Sequence, residues 1–330
     1  MDLIWIIVFI VSLTVLIKGT DWLLKSAEKI GLAIGLSPFI IGVTIVGIGT
    51  SFPELISSLV AVFKNVTEIA PANAIGSNIA NILLVVGFSA VFAKRLVVTK
   101  SLIDLDLPLL AISTVLFLGV VKDRQITFFE ALLMVGVYII YLLYTAIHRE
   151  ETEKSLPVLP SRPDRRKHIV SIFSKKNIDK PKVNLGDFLL LIVGITGLFF
   201  GAKYLIEAVI KLSQIFSIAP AIISITAVAI GTSLPELIVS IKAAIEKKPE
   251  VALGNIFGSN VFNLLAVVGI PGLFKTLLVD NSTFLIGLPT MALATLLFVI
   301  SGISKRIHIW EGLMYLAIYI LFIAKLFSIF

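Results

Sequence analysis

Long apolar stretches broken by short polar turns run through nearly all of this chain. Leu3 to Ile17, Leu102 to Val121 and Phe284 to Ile303 are nearly uncharged and close to the length of a membrane-spanning helix. Cutting at the polar breaks predicts ten helical segments, at about 3–30, 38–63, 71–93, 102–121, 126–147, 187–212, 219–245, 251–274, 284–303 and 309–328. Five lie on each side of a polar stretch at 148–186.

Composition supports spans over soluble helices. Of the 330 residues 58% are hydrophobic and 15% charged, with a mean hydropathy of +1.04. A soluble domain of this size would lack the polar surface to cover its outside. The first segment turns apolar at its third residue, without a basic leader or a small-residue cleavage motif, and reads as a retained span. The absence of cysteine excludes disulfides, thiolate metal sites and cysteine nucleophiles.

The net charge of +7 could suggest a nucleic-acid partner, but its placement argues for a lipid bilayer instead. Ten Lys and Arg residues crowd between His148 and Asp187, and most others sit at span ends. With the N-terminus outside, Lys94, Arg95, Lys100, the linker, Lys247, Lys248, Lys305 and Arg306 all face the cytoplasm, as the positive-inside rule favours. The basic linker could also bind anionic lipid or a regulatory protein, although topogenic charge accounts for it.

An internal repeat is the strongest signal. Gly49-Thr50-Ser51-Phe52-Pro53-Glu54-Leu55 recurs as Gly231-Thr232-Ser233-Leu234-Pro235-Glu236-Leu237, and Gly76-Ser77-Asn78-Ile79-Ala80-Asn81 as Gly258-Ser259-Asn260-Val261-Phe262-Asn263. Each pair is offset by 182 residues, as are Pro38 and Pro220, so the alignment from Pro38 to Gly87 needs no gap. Five spans per half is an odd number, so the second half enters the membrane from the opposite side. The expected fold is therefore an all-α polytopic membrane protein of ten transmembrane helices in two inverted five-helix repeats. Residues 1–147 form the N-terminal repeat, 148–186 a basic cytoplasmic linker and 187–330 the C-terminal repeat. Transporters with this geometry bind substrate at the midplane, where the repeats meet.

The repeated motif has a chemical logic. Pro53 has no N–H for the carbonyl of Gly49 and disfavours regular helix before it, and Pro235 does the same at Gly231. Lipid cannot satisfy the freed carbonyls, so they need a cation, water or a polar neighbour. Glu54 and Glu236 follow one turn later in mid-span, where an unpaired carboxylate is costly. Two carboxylates converging on one site repel unless a proton or a cation lies between them. Ser51, Ser77, Asn81 and their counterparts Ser233, Ser259 and Asn263 add neutral oxygens. An all-oxygen, doubly anionic site suits Ca²⁺, which takes about six to eight oxygen ligands, and Na⁺ at its neutral positions. Mg²⁺, which gives up its waters reluctantly, suits it less.

Other polar residues have plainer readings. A lone Ser, Thr or Asn in a membrane helix is ordinarily interhelical glue; duplication sets these apart. Lys18, Asp21, Lys25 and Glu28 on the first span, with Lys203 and Glu207 on the sixth, read as a water path or as snorkelling side chains. Asp21 and Lys25 are spaced as a same-helix pair. Asp104 and Asp106 read as interfacial, and the sequons at Asn65 and Asn281 as chance. The three histidines, His148, His168 and His308, fall in loops or at a span end, so no Ser-His pair or HExxH zinc site can form in the membrane. Nothing calls for an enzyme, a bound cofactor or an obligate protein partner.

The paired G-T-S-x-P-E and G-S-N-x-x-N blocks resemble the two α-repeats of the sodium/calcium exchangers, in the cation/calcium antiporter superfamily. The resemblance implies that spans 2, 3, 7 and 8 enclose the ions and that the first and sixth helices slide to switch access. It implies that Glu54, Glu236 and the carbonyls of Thr50 and Thr232 bind Ca²⁺. Ser51, Ser77, Ser233 and Ser259, with carbonyls near Gly47 and Ala229, would help to bind Na⁺, and Asn81 and Asn263 would stand between the sites. Several relatives carry aspartate at the position of Asn263, so this chain has one titratable group fewer. The linker lacks the large regulatory domain of animal exchangers. The expected function is Na⁺/Ca²⁺ antiport in a prokaryotic plasma membrane, with both ions as cargo. Its rivals are proton/calcium antiport in the same superfamily and a passive cation channel.

Overall fold

In the computed structural model, residues 2–34, 49–93, 95–97, 106–154, 183–245 and 249–328 are described. Among them eight helices are long and apolar enough to cross a membrane. These are α1 (Asp2–Ile34), α3 (Ile69–Ala93), α5 (Phe128–Lys154), α6 (Leu185–Phe216), α7 (Pro220–Ile245), α8 (Ala252–Gly272), α9 (Thr283–Ile303) and α10 (Ile309–Leu326). Two shorter apolar helices, α2 (Phe52–Phe63) and α4 (Leu107–Val120), complete a polytopic ten-helix protein. The first parts of the expected second and fourth spans lie outside the described residues, as do Lys94, Lys100, Asp104, most of the linker, His168, Lys247 and Lys248.

Helix starts follow from local chemistry. The backbone N–H groups of Thr127, Asn184 and His308 are accepted by carboxylates three residues on, in Glu130 (2.8 Å), Asp187 (2.9 Å) and Glu311 (2.7 Å). Each bond satisfies a donor that the helix itself leaves open. The fifth helix does not stop at 147, as its hydropathy suggests, but runs to Lys154. On α1 the acidic partner is also different: Asp21 faces Lys18 at 3.8 Å, an i,i+3 pair, rather than Lys25.

Burial sorts the helices into layers. About four-fifths of α3 and of α8 is enclosed by protein (78% for each), against 22% for α1 and α5. The two helices that carry the Gly-Ser-Asn blocks are thus the centre of the molecule. They pack on α2 and α7 and on each other's halves. Gly76 makes one such approach possible: a Cβ there would fall 2.3 Å from the carbonyl oxygen of Ile225 in α7. Small residues where helices touch let backbones come close in this way.

The inversion shows in two independent places. Where α1 crosses α6, a Cβ on Gly19 would lie 2.7 Å from the Leu198 nitrogen, and one on Gly201 would lie 2.7 Å from the Leu16 nitrogen. The 182-residue offset turns one approach into the other. Short strands tie the loops: β1 (Arg95–Val97) pairs antiparallel with β4 (Arg306–His308), and β2 (Gln125–Ile126) with β3 (Leu277–Leu278). The same offset converts the pair Arg95↔His308 into Leu277↔Ile126, which is the observed register of the second ribbon. One span separates the ribbons in each half, so they lie on opposite faces and are exchanged by a two-fold axis in the membrane plane.

The two-fold is broken against the core. Leu24 and Leu13, both on α1, cover the motif glycines of the two halves, 2.4 Å from a Cβ at Gly49 and 2.3 Å from one at Gly231. Helix α6 instead lies along α2, where Lys64 and Glu207 form an ion pair at 2.6 Å. The two halves are related in sequence and in packing, but they are caught in unequal positions.

Candidate cation site

Both proline motifs break their helices at the same place. Ser51 (φ −96°, ψ 10°) and Ser233 (φ −81°, ψ 2°) leave the helical region, and each stands one residue before a new helical start. The hydrogen-bond ladder resumes beyond the prolines, with Leu55 N–H on the Ser51 carbonyl (3.3 Å) and Leu237 N–H on the Ser233 carbonyl (3.0 Å). Glu54 and Glu236 fall in the first turn after the break, and each is 0% exposed.

The hydroxyls cluster around these carboxylates in a two-fold pattern. Ser77 donates to Glu54 Oε1 at 3.5 Å, and its counterpart Ser259 donates to Glu236 Oε1 at 3.4 Å. The halves also interlock: Ser51 donates to Glu236 Oε1 at 3.3 Å, and the Thr232 side chain lies against the Glu54 carboxylate. Thr50 reaches Ser259 Oγ at 3.4 Å and donates to Asn255 Oδ1 at 3.3 Å. Glu54 and Glu236 face this shared hydroxyl cluster from opposite halves. Among the described residues neither has a Lys, Arg or His partner.

A second layer is made of amides. Asn81 Nδ2 donates to Asn260 Oδ1 (3.2 Å), and Asn78 Nδ2 to the Asn260 carbonyl (3.1 Å). Asn81 and Asn263 both sit in π-helical turns, Ala80–Val86 and Asn263–Val267. Such turns shift the side chains that follow and are frequent at functional sites. Among the described residues, the atoms of this region that are buried and without a hydrogen-bond partner are one oxygen of Glu54, one of Glu236, Ser233 Oγ, Oδ1 of Asn73, Asn78 and Asn81, Nδ2 of Asn255 and Asn260, and both polar atoms of Asn263. Leaving buried polar atoms unpaired is destabilising, most of all for charged groups. Oxygen acceptors dominate the set, which is what a desolvated cation requires.

Of the residues singled out in the sequence, Glu54, Glu236, Thr50, Thr232, Ser51, Ser77 and Ser259 come together here, with Ser233, Asn81 and Asn263 buried in the same region. The Ala229 carbonyl is engaged by Ser233 N–H (3.1 Å) and by the Thr232 hydroxyl (3.5 Å), so only part of its acceptor capacity is left. Gly47 lies outside the described residues. Four further asparagines join the region without having been singled out: Asn78 and Asn260, inside the repeated block, and Asn73 and Asn255, three residues before it. The last two stand at the same 182-residue offset as the block itself, which is the signal that marks them.

Inverted halves that meet at two buried carboxylates, ringed by neutral oxygens and without a basic partner among the described residues, define a membrane cation transporter of the inverted-repeat class. The sodium/calcium exchanger protein family matches the chain over residues 4–147 and 186–328. A sodium/calcium exchanger, MaX1, of Methanosarcina acetivorans is 33% identical over 355 residues, covering 98% of each chain. An uncharacterized membrane protein of Methanocaldococcus jannaschii is 31% identical over 323 residues, covering 96% of each. The sodium-calcium exchanger NCX_Mj, in a crystal soaked with 10 mM Na⁺ and no Ca²⁺, superimposes with a TM-score of 0.62 at 29% identity over 98% of this chain and 99% of its own. The chain belongs to the sodium/calcium exchanger family and is a cation/calcium antiporter.

Proposed function

We propose that the protein exchanges Na⁺ for Ca²⁺ by alternating access, with Glu54 and Glu236 as the central ligands of the transported ions. The observation that carries this is the pair of fully buried carboxylates, each with one unpartnered oxygen and no basic neighbour among the described residues. Ca²⁺ between them would be held by both carboxylates and the carbonyls of Thr50 and Thr232. Na⁺ would use Ser51, Ser77, Ser233 and Ser259, with Ala229 and Gly47 contributing backbone oxygens. Asn81 and Asn263 would separate the sites as neutral amides. The similarity to MaX1 and NCX_Mj supports sodium as the coupling ion.

Coupling follows from charge. Two carboxylates facing each other in a low-dielectric site make the unloaded form strongly negative, which opposes switching through the membrane. One Ca²⁺ or more than one Na⁺ neutralises the pair, so loaded forms switch and unloaded ones do not. The halves 1–147 and 187–330 would work as the two repeats about the 148–186 linker. The N-terminus would be outside, and the linker would lie on the cytoplasmic side of a plasma membrane. Lys305 and Arg306 adjoin or belong to β4, whose pairing with β1 puts them on the face of Arg95, in keeping with the positive-inside arrangement.

Calcium uptake into proteoliposomes separates the coupling ions. Vesicles loaded with sodium and diluted into sodium-free buffer are expected to take up calcium, whereas vesicles with only a pH gradient are not. Uptake driven by the pH gradient alone would make the coupling ion a proton. Flux that needs no counter-ion gradient and fails to saturate would make the protein a channel.

A further inference from the structure

We propose that Asn73 and Asn255 are positioning residues that exchange their hydrogen-bonding roles each time the site switches faces. They occupy equivalent places, on α3 and at the start of α8, yet they are bonded differently. Asn73, 0% exposed, uses its Nδ2 within its own half: it reaches the Glu54 backbone carbonyl (3.4 Å), Ser57 Oγ (3.4 Å) and Ser58 Oγ (3.5 Å). It therefore braces the first turns of α2, from which the Glu54 carboxylate projects. Asn255 uses the opposite end of its amide, and across the halves: its Oδ1 accepts from Thr50 at 3.3 Å.

The unused atoms are complementary. Asn73 Oδ1 and Asn255 Nδ2 are both buried without a partner among the described residues. Applying the 182-residue offset to the bonds that do exist shows what each unused atom fits. The mirror of Thr50 on Asn255 is the Thr232 hydroxyl on Asn73 Oδ1. The mirror of Asn73 on α2 is Asn255 Nδ2 on the Glu236 carbonyl and Ser240 Oγ, with Val239 standing where Ser57 does. Thr232 now donates within its own helix, to the Val228 carbonyl at 3.1 Å, and Ser240 to the Ala252 carbonyl at 3.2 Å, so both have another bond in the present arrangement. The halves of an inverted-repeat transporter trade conformations between access states. A buried amide that leaves one end unpaired in each state, but never the same end, keeps both states close in free energy.

Each residue therefore favours a different state. Asn73→Ala deletes the braces on Glu54, Ser57 and Ser58 from the present state, but only the Thr232 bond from its mirror. Asn255→Ala deletes only the Thr50 bond from the present state, but the braces on Glu236 and Ser240 from the mirror. The proposal rests on the antiporter reading above, and its test is read as a ratio between faces. Wild type, Asn73→Ala, Asn255→Ala and the double variant are reconstituted, and half-saturation for calcium is measured at each face. The chain has no cysteine, so one introduced in a loop allows an impermeant thiol reagent to silence one orientation. Apparent affinity at a face scales with the fraction of protein open to it.

The two single variants are expected to move the ratio of the two half-saturation values in opposite directions, by about threefold or more each. The double variant is expected to return to within about twofold of wild type. Shifts in the same direction, or an unchanged ratio in both, would overturn the proposal, because a merely structural role gives no reason for opposite signs. Where an alanine variant fails to fold, Asn73→Ser and Asn255→Ser are read in the same way. A wild type that carries another cation in place of calcium overturns the calcium assignment, and the ratio is then decided with that cation.

Discussion

Ser51, on the first half, donates its hydroxyl to the carboxylate of Glu236, on the second, at 3.3 Å. Sequence distance conceals this relationship, and its two-fold counterpart is not made: Ser233 Oγ, the equivalent hydroxyl of the second half, is buried without a partner among the described residues. Ser51→Ala removes a bond to a charged group while leaving Ser259 on the same oxygen. The expected result is a rise in calcium half-saturation of about fivefold to tenfold with the fold intact, measured by uptake at graded calcium and by size-exclusion chromatography.

Gly76→Ala tests the central packing. The added Cβ would meet the Ile225 carbonyl oxygen at 2.3 Å, so α3 and α7 must move apart. A loss of about 1–3 kcal/mol is expected, seen as a lower melting temperature in detergent. Gly136→Ala, on α5 with nothing within 4 Å of the new Cβ, is expected to leave that temperature unchanged.

The Lys64–Glu207 pair joins α2 to α6 at 2.6 Å, with side chains 26% and 33% exposed. At that exposure its removal by Lys64→Gln is expected to cost less than about 1 kcal/mol of stability. Its larger effect is expected on switching, since it fastens a glutamate-bearing helix to one of the outer pair. Transport rate should change in Lys64→Gln, and the exchange Lys64→Glu with Glu207→Lys should restore it. An unchanged rate in the single variant would make the pair a surface contact only.

Asn263→Asp adds a third acidic group to the buried region that holds Glu54 and Glu236, at a position where both polar atoms are unpartnered among the described residues. When ionised, it leaves a net negative charge after one Ca²⁺ has bound; when protonated, it is neutral like the asparagine it replaces. The variant is expected to differ from wild type at high pH, and the difference should fade as pH falls through the titration of the new carboxyl. Exchange rates measured across a pH series check this.

Much of this architecture is legible in the sequence because a duplication states it twice. Glu54 with Glu236 and Ser77 with Ser259 are found by offset alone, and an odd number of spans per half makes the inversion unavoidable. Three features escape such reading. The π-helical turns at Asn81 and Asn263 alter one turn inside an apolar run, which hydropathy does not register. The β1–β4 and β2–β3 ribbons are two or three residues long and join loops far apart in the chain. The partner of Lys64 is 143 residues away on α6, and no local spacing points to it. Asp21 shows the reverse case, where a plausible i,i+4 spacing to Lys25 gives way to Lys18 one turn earlier. Asn73 and Asn255 are legible by the same offset, but they fall outside the motif blocks that draw the eye.

The central claim is that Glu54 and Glu236 bind the transported ions together. Its most direct test is calcium uptake driven by internal sodium in vesicles holding wild type, Glu54→Gln or Glu236→Gln, with each variant checked for folding in detergent. Uptake by wild type and loss of at least about a hundredfold in both variants, with the fold retained, is the predicted result. Retained sodium-driven uptake in both variants would contradict the account.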